Sequence, residues 1–123
     1  MAKLNFGLFC EYSLIATDNM PSFIGVFSDL IAKKPARKTF SFVVNVHPEE
    51  KRTHVLKISV KSPSGKEINK KEKELKPLAE DSNDFGFMWR LSINFDEEGK
   101  YKFDVFLDDD FLHSVPLGIK FEK

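Results

Sequence analysis

One cysteine, Cys10, in 123 residues excludes a disulfide framework within the chain and a zinc or iron–sulfur site built on several thiolates. Net charge is lacking too: Lys plus Arg number 19 and Asp plus Glu number 19. The basic excess that displaces counterions from nucleic acid is therefore absent, and so is a pull toward an anionic membrane surface. No apolar run approaches the roughly 18 residues that cross a bilayer as a helix. The opening MAKLNFGLFCEYSLIA has no uninterrupted apolar stretch, because Asn5 and Glu11 break it, and so does not read as a secretory signal. Phe9, bulky and directly before Cys10, argues against lipoprotein processing. Glycine-rich phosphate loops, a nucleophile elbow and an H-E-x-x-H zinc motif are missing as well. These absences predict a cytoplasmic, non-enzymatic protein with no cofactor and no nucleic-acid or membrane partner. Its one thiol is expected to be buried and reduced.

What is present is aromatic and alternating. Phe occurs 13 times and hydrophobic residues make up 41% of the chain, enough for one packed core. The length suits one domain spanning residues 1–123. Apolar residues recur with period two, the mark of strands. Leu4, Phe6, Leu8 and Cys10 share one phase, as do Phe40, Phe42, Val44 and Val46, and then Leu56, Ile58 and Val60. SFIGVFS at 22–28 is apolar in both phases. LIAKKPARK at 30–38, charged and interrupted by Pro35, reads as a connection. The segment 67–75 carries i,i+4 charge pairs that suit a helical turn, but so few apolar residues that a charged edge strand is the better reading. Phe87, Trp89, Leu91, Ile93 and Phe95 share a phase, and Tyr101, Phe103, Val105 and Leu107 continue it. A hairpin pairing Phe95 with Tyr101 would put Leu91 opposite Val105. A turn at Asp109-Asp110 would pair Leu107 with Leu112 and place Leu112 inward; its phase disagrees with that of Val115, which predicts a β-bulge near His113–Ser114. About eight strands without a long helix predict an all-β antiparallel sandwich.

LNFGLFCE at the start, SFIGVFSDL near residue 25, PSGKEI at 63–68 and EEGKYKFDVFLDDDFLHSVPLGI near the end together resemble a bacterial family catalogued as a domain of unknown function. The resemblance implies a single immunoglobulin-like β-sandwich and a bacterial intracellular setting. It implies no activity and transfers no site residue.

Polar candidates are scattered. His47 and His54 flank the turn HPEEKR, where Glu49 or Glu50 would suit a metal. Their strand phases differ, so structural or surface roles are expected. Acidic loops at 96–98 and 108–110 lie one strand apart, at opposite ends of the sheet. Asp81 and Asp84 fall near the end that holds Asp108, Asp109 and Asp110, and these five are the candidate calcium ligands. Trp89 and Tyr101 share the inward phase and are expected in the core. Phe23, Phe27, Val43 and Phe106 remain as apolar residues outside the inward phase, so they are the candidate contact residues for a protein partner or a second copy. The leading functional expectation is a non-enzymatic interaction or scaffold domain, capable of self-association. The alternative is a calcium- or anion-dependent binding module at the acidic end.

Overall fold

The alternating segments form nine strands in the computed structural model, which describes residues 2–15, 21–32, 36–48, 50, 52–76 and 84–122. In chain order they are β1 (Lys3–Ile15), β2 (Pro21–Phe27), β3 (Asp29–Ala32), β4 (Ala36–His47), β5 (His54–Lys61), β6 (Glu67–Leu75), β7 (Phe85–Phe95), β8 (Gly99–Leu107) and β9 (Asp110–Phe121). They make two sheets, ordered β2-β1-β4-β7 and β3-β9-β8-β5-β6. All pairings are antiparallel except β3 with β9. The chain is an all-β sandwich, and Asp81 and the rest of 77–83 lie outside the described residues.

The core is the space between the two inner faces, and rings fill it. Phe103 of β8 is fully buried and meets Phe9 and Phe42 with centroids 4.8 Å away in each case. Phe40 and Trp89 close around it at 6.2 and 6.5 Å. Trp89, 8% exposed, and the fully buried Tyr101 belong to this core as their phase required. The Tyr101 hydroxyl leaves it at one end, accepting from the Glu97 amide and donating to the Glu97 carbonyl. One residue thus anchors the turn before its own strand.

Four sequence expectations are corrected. LIAKKPARK is not simply a connection: β3 occupies 29–32, and β4 begins at Ala36. Only Ser28 separates β2 from β3, so the chain passes from one sheet to the other there. The β7–β8 hairpin does not exist. β7 pairs with β4 in one sheet and β8 with β5 and β9 in the other. Phe95 and Tyr101 do meet, edge to face at 5.0 Å, but across the core. Two strands that share an inward phase look alike in sequence whether they sit side by side or face to face.

The third correction is in β1, where an irregularity between Leu4 and Phe6 flips the phase. Phe9 therefore enters the core, and Phe6 is 41% exposed. Gly7 then lies on the inner face at a close approach of β1 to β9: a Cβ there would stand 2.9 Å from a Val115 methyl. Gly7→Val is expected to cost about 1–3 kcal/mol by overpacking, read as a lower denaturant midpoint with an unchanged slope.

The fourth is the last turn, which is Asp108–Asp109 with both residues at positive φ, 51° and 68°. This is the two-residue hairpin geometry that Asp tolerates better than most residues. Leu107 consequently pairs with Asp110 rather than Leu112. The expected β9 bulge is present and sits slightly earlier: the register shifts between Val105, opposite His113, and Phe106, opposite Phe111.

Candidate functional site

Two histidine–aspartate pairs sit at the sandwich end where β4 hands over to β5. His47 at the end of β4 meets Asp84, just before β7, at 2.5 Å. His54, which opens β5 and is 3% exposed, is held at both ring nitrogens: Nδ1 lies 2.5 Å from Asp108 Oδ2 and Nε2 2.8 Å from the Glu50 carbonyl. Both partners are acceptors, so a ring bearing two N–H groups satisfies both contacts. The ring also packs against Phe85 of the opposite sheet at 6.1 Å, plugging the core.

Asp108 is the hub. Its Oδ1 accepts from the Val55 amide at 2.9 Å, and its own amide donates to the Val55 carbonyl at 2.8 Å. Arg52 reaches its Oδ2 at 3.1 Å and binds Glu50 Oε2 at 2.8 Å. Burial opposes ionisation of Asp108. The hydrogen bonds from Val55 and His54, with the charges of His54 and Arg52, outweigh it and hold the carboxyl below its ordinary value. An open cleft of about 500 Å³ lies beside the cluster, lined in part by Arg52, Asp108, Asp110 and Phe111.

This network uses the acidic candidates for structure. Asp84 and Asp108 are occupied by histidines, Asp109 and Asp110 are exposed in and after the turn, and Asp81 lies outside the described residues. Among the described residues no three His, Cys, Asp or Glu side chains converge as a metal site. Cys10 is buried, and burial raises its thiol pKa against the opposing charge of Arg90.

The contact candidates do not share one surface. Phe27 turns inward and stacks on Phe9 at 6.1 Å. Phe23 is half-buried, with its ring edge-on to Phe6 at 6.4 Å. Val43 points to the outer face of the four-stranded sheet, yet is buried between its ladder neighbours Leu8 and Met88. Phe106 lies on the outer face of the other sheet, with Phe111 at 5.6 Å and the Lys57 ammonium 5.0 Å over its ring.

The sheet edges are more distinctive, and phase analysis of single strands does not reveal them. β6 guards its edge with charge: six of its nine residues are Lys or Glu. β3 is four residues long, and β2 begins with Pro21 and carries Gly25 at φ 72°. β7 has none of these devices. It runs eleven residues with one charge, Arg90, and among the described residues it is paired on one side only.

Fold and edge define a two-layer β-sandwich in which, among the described residues, one long, weakly charged strand has an open edge. The chain belongs to the family of unknown function DUF6941, whose model matches residues 5–120. It is also similar to an immunoglobulin-like protein of Pseudomonas aeruginosa, with 15% identity, 98% of this chain and 97% of that chain covered, and a TM-score of 0.39. No curated protein matches the chain.

Proposed function

We propose that the chain is a non-enzymatic interaction domain that binds an extended segment of a partner protein along the open edge of β7. The observation that carries the reading is that edge: eleven residues of strand offered on one side, beside edges that are charged, short or broken. Strand addition uses such edges because the unpaired N–H and C=O groups already have the geometry of a ladder. Main-chain hydrogen bonds then supply affinity, and alternate side chains supply selectivity.

Self-association by the same edge is disfavoured by the other layer. The two sheets have four and five strands, and β7 packs on β8 and β5, so β6 extends beyond it. Pairing β7 with β7 of a second copy would leave one strand spacing, about 4.8 Å, between the two copies at that layer. Two β6 strands would have to fit into the gap below. A free segment, with no second layer of its own, meets no such obstacle. A dimer through paired β7 edges is therefore not expected in sedimentation at about tens of micromolar.

Amide hydrogen exchange tests the reading, with three ten-residue peptides alternating Thr with Glu, Gln or Lys as probes. Slowed exchange at alternate residues of β7 with at least one peptide supports it. Unchanged exchange along β7 with all three overturns it.

A further inference from the structure

We infer that the segment taken up at β7 is acidic, with carboxylates at alternate positions that face Lys71 and Lys73 of β6. The inference rests on the strand-addition reading and names the chemistry of its partner.

The ring contacts show which strands stack. Phe42 of β4 lies over Phe103 of β8; along β7, Phe95 and Trp89 meet Tyr101 and Phe103 of β8, and Phe85 lies against His54 of β5. β7 thus crosses from β8 toward β5, and the outermost strand β6 has no described strand above it. Its inner face is fixed by register: Asn69 pairs with Val60, Lys71 with Ile58, Lys73 with Leu56 and Leu75 with His54. The four β5 residues are buried, whereas Lys71 and Lys73 are exposed. Lysines in core-facing register are tolerated only where no layer covers them. They floor a groove whose wall is the open edge of β7.

Inward-pointing charge, lysine most often, also serves to blunt a sheet edge. The carboxylates of β6 all lie on one face. Its outer face carries Lys70, Glu72 and Glu74, with Glu67 bonded to Ser59 Oγ at 2.7 Å. Its inner face carries two lysines and no carboxylate. Among the described residues, no carboxylate forms an ion pair with either lysine.

A strand added about 4.8 Å beyond β7 reaches over β6 toward the Phe85 end, where Lys71 and Lys73 precede Leu75, at the usual sheet separation of about 10 Å. Alternate side chains of that strand point down into the groove. Lys71 and Lys73 are two residues apart, so carboxylates two residues apart on the added strand match their spacing. A glutamate and a lysine side chain together bridge such a gap. Apolar downward side chains would instead cover the ammonium groups and strip them of water without a partner.

The three alternating peptides decide the point by fluorescence anisotropy at physiological salt. The Glu peptide is expected to bind about tenfold more tightly than the Gln peptide, the scale of two partly exposed ion pairs, and the Lys peptide more weakly than both. A Lys71→Glu/Lys73→Glu variant should invert the order. Both sites are exposed on an edge strand, so its melting temperature should match the wild type and serve as the folding control. Equal affinity for the Glu and Gln peptides, or an unchanged order in the variant, overturns the acidic partner while leaving strand addition intact. Glu-peptide binding without protection of β7 overturns the inference, and a wild-type dimer with β7 protected in the absence of peptide does so too. Unchanged β7 exchange with every peptide removes the underlying reading as well.

Discussion

Phe103→Ala is expected to destabilise the domain by about 3–5 kcal/mol, the range for truncating a large aromatic in a packed core. Phe103 is where the two layers meet: its ring touches Phe9 of β1, Phe42 of β4 and Trp89 of β7 from the opposite sheet. These neighbours sit on three different strands, so no single one can move in to fill the space. A loss of this size approaches the whole stability of an ordinary domain, about 5–15 kcal/mol. Equilibrium denaturation with the single tryptophan as probe measures it. A cost below about 1 kcal/mol would mean that the ring is not at the centre of the packing.

Asp108→Ala is the second large effect, expected at about 2–4 kcal/mol. The substitution leaves the His54 Nδ1 and the Val55 amide without their acceptor. It also places alanine at φ 51°, a conformation that disfavours a β-carbon. Asp108→Asn separates the two causes, since asparagine tolerates that backbone while it removes the charge and one of the two accepting oxygens. The Asn variant should lie between alanine and wild type, and its deficit should depend on pH. The folded Asp108 carboxyl ionises below its ordinary value, so its stabilisation is complete above the unfolded value of about 3.9. It is lost as pH falls through the lower folded value. Wild type and Asp108→Asn should thus converge in stability under strong acid. Thermal melts across pH 2–7 follow the convergence, and a constant gap would place the effect in packing rather than charge.

The periodicity of individual strands was legible because burial on one face writes itself into every second residue. Phe40, Phe42, Val44 and Val46 show this, and all four are buried. The charged edge strand over 67–75 could be read for the same reason, as a strand that almost no apolar residue recommends for burial. Partnership was less legible. Phe95 and Tyr101 touch as the alternation required, but across the core, and no local pattern separates that from a hairpin. The parallel strand β3 has only four residues, too few for a period. The His54–Asp108 contact joins residues that are distant in sequence and met by no motif. Val43 lies outward as its phase predicts, and its burial comes from Leu8 and Met88 on adjoining strands. Lys71 and Lys73 acquire meaning only once one sheet is seen to be a strand wider than the other.

The passage at Ser28 also bears on the order in which the molecule assembles. β2 joins its sheet through β1, a neighbour in sequence, whereas β3 must find β9 near the other end of the chain. Closing so long a loop costs entropy before any of the four ladder residues returns enthalpy. The β3–β9 seam is therefore placed late in folding, after β8 and β9 have formed their local hairpin. Until it closes, the sandwich lacks the edge strand beside β9, and the ladder groups on that side of β9 are open to other chains. Folding thus passes through a stage in which the β9 edge is exposed, and the single-residue link at Ser28 keeps β3 near the sheet it must join once β2 has paired.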